Sequence, residues 1–194
     1  MRKVIIDRTE RILDDFFKVD EGYLCYERFD GTMSPVVRRL NFERGDSVAA
    51  LIYKPSTKRI VLVNQFKYPT YKKGPGWITE TMAGMIDKDE DPQTAVRREI
   101  LEETGYDLRT LEHISTFYLS PGGSSERIVL YYAEVDDKKT TEGGGLPAEN
   151  EDILNVELSL EDALGQIDSG EIADAKTIIA ILWLRNRLGT NGAV

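Results

Sequence analysis

The chain has 194 residues, of which 41% are hydrophobic and 30% are charged. This length is enough for one compact domain with a buried core, and the composition argues against a disordered or membrane-embedded protein. The formal net charge of −9 at pH 7 works against sequence-independent binding to nucleic acid, because that binding needs basic side chains to neutralise phosphates. We therefore expect neither a nucleic acid nor a membrane as partner.

The N-terminal segment and the single cysteine bear on the compartment. The first seven residues, MRKVIID, lack the long apolar stretch of a secretion signal. Cys25 has no second cysteine with which to form an intrachain disulfide or a zinc site. Both observations favour the cytoplasm, which is the location we predict.

The first half of the chain is predicted to be rich in β-strands, since branched and aromatic residues recur there with partial alternation. Strands are expected over residues 4–13, 16–28, 36–42, 47–53, 59–68 and 76–83. Asp30-Gly31 predicts a turn between the second and third of these strands. Residues 54–58 predict a hairpin connection between the fourth and fifth.

A helix over residues 92–104 opens the second half. Asp91 can cap its start, Pro92 suits its first turn, and Gly105 suits the left-handed position after its end. Further strands are expected over residues 112–118, 128–135 and 153–158, and further helices over 160–167 and 173–188. This order predicts a mixed sheet between helices.

Two predicted loops are candidates for function, because long loops in compact domains often carry binding or catalytic residues. One covers residues 120–125. The other covers residues 136–149 and contains Gly143-Gly144-Gly145.

Three acids share one face of the predicted helix, since Glu99, Glu102 and Glu103 are spaced at i, i+3 and i+4. Like charges at this spacing cost about 0.2–0.5 kcal/mol per pair in an isolated helix, a penalty that a bound divalent cation would reverse. Oxygen ligands suit Mg²⁺ or Mn²⁺. The alternative is a solvated helix face on which Arg98 pairs with Glu102.

A longer pattern surrounds these acids. Gly84 is followed by five residues, Glu90, seven residues and then the sequence Arg98-Glu99-Ile100-Leu101-Glu102-Glu103-Thr104-Gly105-Tyr106. This resembles the 23-residue box of the Nudix family at every charged and glycine position. Tyr106 stands where the family usually has an aliphatic residue, and its ring can fill the same apolar slot.

The resemblance implies a metal site for Mg²⁺, with Mn²⁺ as a possible substitute. Its implied metal ligands are the carbonyl of Ala83 and the carboxylates of Glu99, Glu103 and Glu151. Its implied catalytic residues are Arg98, Glu102, Glu103 and Glu151. Arg98 would hold carboxylates in place and Glu90 would hold Arg98, since metal sites need such orientation.

The base is expected on a downstream loop, as in the family members that act on sugar nucleotides. Glu149, Glu151 and Asp152 follow the glycine triplet, and we predict Glu151 as the base. The alternative is a mobile acidic surface segment.

Several further features resemble the GDP-mannose and ADP-ribose pyrophosphatase branch of the family, and this resemblance covers nearly the whole chain. They are the glycine triplet, Glu151-Asp152-Ile153, Gly170-Glu171-Ile172 with Asp174 and Lys176-Thr177, and Ser120-Pro121-Gly122-Gly123 with Glu126. Pro121 lies 15 residues beyond Tyr106 (121 − 106 = 15), where ADP-ribose pyrophosphatases carry a proline.

The same resemblance implies substrate contacts and a dimer. The substrate-binding candidates are Phe17, Arg38, Arg39, Lys67, Glu126 and Lys176. Taken without the family, exposed charges of this kind are usually solvated and contribute little. The implied organisation has residues 1–45 as N-terminal β-strands for dimerisation and substrate contacts, and residues 46–194 as the Nudix domain. We therefore expect a homodimer.

The expected fold class is α/β: a Nudix α/β/α sandwich with a mixed sheet, preceded by an N-terminal antiparallel β segment. The expected reaction is metal-dependent hydrolysis of a nucleoside-diphosphate sugar, GDP-mannose and/or ADP-ribose, to a nucleoside monophosphate and a sugar phosphate. Two alternatives stay open, namely a hydrolase of nucleoside triphosphates or dinucleoside polyphosphates, and a non-catalytic nucleotide-binding module. The sequence motifs of serine hydrolases, P-loop NTPases and dinucleotide-binding dehydrogenases do not occur.

Overall fold

A computed structural model describes residues 2–146, 148 and 150–190 of the chain. The chain forms two compact units. The first consists of Met1–Asp46 and Tyr118–Arg127, and the second of Ser47–Phe117 and Ile128–Val194. Residues 118–127 therefore belong to the same unit as the N-terminal strands. The N-terminal segment predicted from the sequence, residues 1–45, did not include them.

The first unit contains a three-stranded antiparallel sheet in the order β1-β2-β3. Its strands are β1 (Val4–Asp14), β2 (Lys18–Tyr26) and β3 (Val37–Glu43). The later segment bonds to the end of β3, where the Phe42 N–H donates to the Gly123 carbonyl at 2.8 Å and the Ser124 hydroxyl donates to the Phe42 carbonyl at 3.0 Å. The predicted loop at 120–125 is thus part of the first unit.

The second unit is built on a mixed sheet of seven strands. These are β4 (Ser47–Lys54), β5 (Arg59–Phe66), β6 (Trp77–Glu80), β7 (Met82–Met85), β8 (Leu108–Tyr118), β9 (Arg127–Val135) and β10 (Leu154–Ser159). The central order is β10-β5-β4-β9-β8, while β6 pairs with β5 and β7 pairs with β4. Strands β4 and β9 are parallel, and β5 is antiparallel to β4, β6 and β10.

Helices cover both faces of this sheet, with α2 (Pro92–Thr104) on one face and α3 (Leu160–Ser169) and α4 (Ala175–Thr190) on the other. A short helix, α1 (Tyr68–Tyr71), has no buried residue. Alternate residues of β4 point to opposite faces. Val48, Ala50 and Ile52 pack in one core with α2, whereas Ala49, Leu51 and Tyr53 pack in a second core with α3 and α4. The predicted α/β/α arrangement with a mixed sheet is confirmed.

The helix over 92–104 is also confirmed, with both of its predicted ends. The Asp91 carboxylate accepts from the N–H groups of Gln93 and Thr94 at 3.0 and 3.2 Å, and Gly105 follows the helix at φ +77°. The later strands and helices occur in the predicted order, with ends shifted by a few residues.

Two local predictions are wrong. The strand expected over 76–83 is divided into β6 and β7, because the chain changes partner from β5 to β4 at Thr81. There the Thr81 N–H donates to the Thr177 hydroxyl at 2.8 Å instead of to a strand. The strand expected to end at residue 68 ends at Phe66, and a short helix begins at Tyr68, where Pro69 suits a first turn.

None of the helices in the described part of the chain is both long and apolar enough to cross a membrane.

Replacing Thr177 tests the hydrogen bond at the change of partner. Thr81 and Thr177 are fully buried, and the Thr177 hydroxyl also donates to Asp174 at 2.5 Å. Thr177→Val leaves the Thr81 N–H without an acceptor, so we expect a loss of about 1–3 kcal/mol in the free energy of unfolding, measured in urea. Thr177→Ser keeps the hydroxyl and is expected to lose less, so equal losses in the two variants would contradict this account.

Candidate active site

The acidic face of α2 lies against β7. Glu99 makes the close approach, since a Cβ atom added at Gly84 would lie 1.9 Å from the Cδ atom of Glu99. Only a glycine leaves room for the carboxylate at this position. Ala83 immediately precedes Gly84 in β7, so its carbonyl belongs to the same short stretch of backbone.

Arg98 binds several carboxylates at once. Its Nη1 donates to Glu99 at 2.7 Å and to Glu102 at 3.3 Å, and its Nε and Nη2 donate to the two oxygens of Glu90 at 3.2 and 3.0 Å. The hydrogen bonds that Glu90 accepts from Arg98 raise the pKa of Arg98 above its ordinary value, and the charge of Glu99 adds to this effect. Glu90 therefore fixes Arg98, and Arg98 fixes Glu99 and Glu102, which are the contacts expected from the sequence.

Glu103 is a buried acid on this face. It is 3% exposed, and its Oε2 has no hydrogen-bond partner within the described residues. Burial, together with the charge of Glu99, raises the pKa of Glu103 to about 8, although the charge of Lys67 opposes the shift. Burial also raises the pKa of Glu99, against the opposing effect of Arg98. This face of the helix is therefore not the solvated surface of the alternative interpretation.

The loop acid Glu151 lies near the helix acids. Its negative charge contributes to the raised pKa of both Glu99 and Glu103. One of its oxygens accepts from the Leu146 N–H at 2.9 Å. Residues distant in sequence are thus brought into one acidic region, while Glu149, named as an alternative base, lies outside the described residues.

Three of these carboxylates could hold a divalent cation. They are Glu99, Glu103 and Glu151, and their oxygen atoms are the kind of ligand that suits hard cations. Across the described ranges, no three acidic, histidine or cysteine side chains converge as a formed metal centre. The unpartnered Oε2 of Glu103 and the raised pKa values nevertheless fit a cation, because a cation satisfies a buried oxygen and favours the ionised carboxylates.

Sequence reasoning missed Glu80, which connects two of the predicted substrate contacts. Glu80 is 6% exposed, and its carboxylate lies 3.6 Å from the Lys67 ammonium and is also bonded by the Lys176 ammonium. Lys176 is buried and makes a second ion pair, with Asp174 at 3.0 Å. The sequence contained one signal for Glu80: it is an acid at an inward position of a predicted apolar strand, where a charge needs a partner.

In the first unit, Phe17 and Glu126 are joined by Arg44, which was also missed. The Arg44 guanidinium lies 5.6 Å from the centroid of the Phe17 ring and 3.6 Å from the Glu126 carboxylate. Phe17 also packs on Phe42 at a centroid distance of 5.0 Å. Two of the predicted contacts therefore belong to one aromatic and charged group.

Arg38 and Arg39 do not form one doubly charged patch. They are consecutive in β3, so their side chains leave opposite faces of the sheet. Arg38 is paired with Glu21, whereas Arg39 donates to the Arg38 carbonyl at 2.9 Å. Their roles in substrate binding remain predictions.

Comparison with known proteins identifies the family. The NUDIX domain family model matches residues 43–180. Proteins named GDP-mannose pyrophosphatase, from Escherichia coli O1:K1 / APEC and from Shigella flexneri serotype 5b (strain 8401), are each 33% identical over 186 residues, which covers 95% of this chain and 96% of theirs.

A solved structure of an ADP compounds hydrolase is similar in fold. Its TM-score is 0.74 at 21% identity, and the alignment covers 99% of this chain and 97% of that one. The family match extends over more than half of the chain and contains the whole box from Gly84 to Tyr106. The chain therefore belongs to the Nudix hydrolase family.

Proposed function

We propose that this hydrolase cleaves the pyrophosphate bond of nucleoside-diphosphate sugars, with GDP-mannose and/or ADP-ribose as substrates, to give a nucleoside monophosphate and a sugar phosphate. The observation that carries the proposal is the acidic region shared by Glu99, Glu103 and Glu151, in which Glu103 is buried and its Oε2 has no partner within the described residues. The relatives named GDP-mannose pyrophosphatase support the substrate class, since they align over nearly the full length of the chain.

Nudix hydrolases generally use divalent metal cations, and we propose Mg²⁺ here, with Mn²⁺ as a possible substitute. Glu99, Glu103 and Glu151 would hold it, together with the Ala83 carbonyl. When bound, such a cation neutralises phosphate charge, lowers the pKa of water and orients the attack on phosphorus.

The remaining roles belong to the chain's own side chains. Arg98 keeps Glu99 and Glu102 in place through its hydrogen bonds, and Glu90 keeps Arg98 in place. Lys67 brings positive charge to the Glu103 region, where it would bind the diphosphate. Lys176 supports this part of the site through the carboxylate of Glu80, which it shares with Lys67.

Glu151 is the proposed base. It would accept a proton from the attacking water as the new P–O bond forms and the bridging P–O bond breaks, and the leaving phosphate carries away the bonding electrons. A loop carboxylate suits this task because it lies beside the helix acids and is not one of the box residues.

The first unit contains further candidates for substrate contact. Phe17 offers a half-exposed ring for stacking, and the neighbouring Arg44 and Glu126 offer polar partners. We propose the Phe17, Arg44 and Glu126 group as contacts for the nucleoside or sugar, with Arg38 and Arg39 as further candidates.

The proposed reaction is tested by incubating the protein with sugar nucleotides, nucleoside triphosphates and dinucleoside polyphosphates, with Mg²⁺ or with a chelator, and separating the products by ion-exchange chromatography. We expect Mg²⁺-dependent release of nucleoside monophosphate from GDP-mannose, ADP-ribose or both. Cleavage confined to triphosphates or dinucleoside polyphosphates would contradict the substrate assignment. Nucleotide binding without cleavage would contradict catalysis and favour a binding module.

The buried acid predicts an unusual dependence of stability on pH in the metal-free protein. As the pH rises above about 4.5, the unfolded chain ionises Glu103 freely, while the folded chain resists ionisation until about pH 8. The contribution of Glu103 to the free energy of unfolding is therefore fully present at low pH and is lost as the pH rises through this window. Glu103→Gln removes this loss because glutamine does not ionise. We therefore expect the melting temperature of the variant to exceed that of the wild type at pH 8, and the difference to be smaller at pH 5.

The expected difference at pH 8 is a few degrees, because about 1 kcal/mol corresponds to roughly 2–4 °C in a domain of this size. Added Mg²⁺ should raise the melting temperature of the wild type and leave that of Glu103→Gln nearly unchanged. A variant that is no more stable than the wild type at pH 8, or that keeps wild-type turnover, would show that Glu103 does not have this role.

We also propose a homodimer in the cytoplasm, formed through the three-stranded sheet of the first unit. All eleven residues of β1 are exposed, including Val4, Ile6, Ile12 and Leu13, which is more apolar surface than a lone strand usually leaves in water. The proposed compartment agrees with the unpaired thiol of Cys25.

Sedimentation velocity tests the dimer, with an expected mass of twice the 21.9 kDa chain. Ile6→Glu should shift the protein toward monomer, whereas Thr9→Glu adds the same charge to β1 without removing an apolar side chain and serves as the control. A monomeric wild type at micromolar concentration would exclude the dimer.

A further inference from the structure

The glycine-rich loop is bonded directly to the end of the helix that carries the box acids. The Gly144 N–H donates to the Glu103 carbonyl at 2.8 Å, and the Gly145 N–H donates to the Glu102 carbonyl at 3.1 Å. Earlier in the loop, the Thr140 N–H donates to the Gly105 carbonyl at 2.8 Å. The last carbonyls of a helix have no partners within the helix, so this loop supplies partners that the helix lacks.

The same loop turns back on Glu151. The Leu146 N–H donates to the Glu151 carboxylate at 2.9 Å, and the Ile153 N–H donates to the Gly144 carbonyl at 3.2 Å. One short stretch of backbone therefore bonds to the residues that bear Glu102 and Glu103 on one side and to Glu151 on the other. None of these bonds involves a metal ion.

Glycine is required where the loop meets Glu151. Gly145 has φ +85°, and an added Cβ atom would lie 2.7 Å from both the Cβ and the Oε2 of Glu151. Gly144 has a similar backbone, with φ +99°, but the nearest atom to an added Cβ is the Ile153 carbonyl oxygen at 3.7 Å. The two positions thus share the backbone constraint and differ in contact with Glu151.

We propose that residues 140–146 act as a clamp that sets the position of Glu151 relative to the helix carboxylates, with Gly145 as the positioning residue that leaves room for the Glu151 side chain. This inference rests on the proposed function, because it gives Glu151 its role in the reaction. The clamp fixes the distance between the loop acid and the box acids through backbone bonds before substrate or cation arrives. This reduces the reorganisation needed for catalysis.

The matched variants Gly145→Ala and Gly144→Ala test the clamp. Both incur the cost of a side chain at positive φ, which is revealed by their melting temperatures, but only Gly145→Ala displaces Glu151. On whichever substrate the wild type cleaves, we expect Gly145→Ala to lower kcat about 10–100-fold, the usual effect of losing a residue that orients a site carboxylate, and to leave KM nearly unchanged. Gly144→Ala should lower kcat much less.

A double-mutant cycle shows whether the loss passes through Glu151. Glu151→Gln alone should lower kcat about 10²–10⁴-fold, and Asp152→Asn, a neighbouring exposed acid, serves as its control. The double variant Gly145→Ala/Glu151→Gln should be no slower than Glu151→Gln, because the carboxylate to be positioned is already absent. Losses that multiply, or equal losses in Gly145→Ala and Gly144→Ala, would overturn the proposal.

Hydrogen–deuterium exchange separates this inference from the proposed function, since it requires neither substrate nor metal. The Leu146 amide should be protected in the wild type and in Gly144→Ala and should exchange faster in Gly145→Ala. If the wild type cleaves nothing in the panel but this difference is found, the proposed function fails and the clamp remains. If the wild type is active and Leu146 exchanges equally in all three proteins, the clamp fails and the function remains.

Discussion

The confinement of negative charge on α2 is the constraint on which the site depends. Glu103 is almost fully buried and Glu99 lies against the backbone of β7, so both carboxylates are poorly hydrated. Such a group resists ionisation, and the raised pKa values of both acids express that cost. Arg98 and Lys67 offset part of it. The protein thus keeps an unfavourable local arrangement that becomes favourable when positive charge is present.

Much of the fold could be predicted because its signals are local. The limits of α2 follow from Asp91, Pro92 and Gly105, whose conformational preferences act within one turn of the helix. The division between β6 and β7 at Thr81 could not be predicted in the same way. It depends on which neighbouring strand is paired on each side of that residue and on the hydroxyl of Thr177, 96 residues away.

The candidate site shows the same limit. The spacing of the box indicated the helix acids and the contact of Arg98 with Glu90, since those residues lie on one helix or directly before it. Glu80 and Arg44 were missed because each acquires its importance from a partner distant in sequence. The hydrogen bonds between the glycine triplet and α2 could not be predicted from the sequence either. The triplet indicated a loop, but it did not indicate which residues the loop contacts.

The composition of the first unit has a consequence for how the protein can be divided or recombined. That unit takes residues from two places in the chain, so three peptide connections, near residues 46, 117 and 127, join it to the second unit. A deletion that ends at residue 46 would leave segment 118–127 attached to the remainder without the strand to which it bonds. The two units therefore cannot be exchanged between genes by a single crossover, and they are expected to be inherited together.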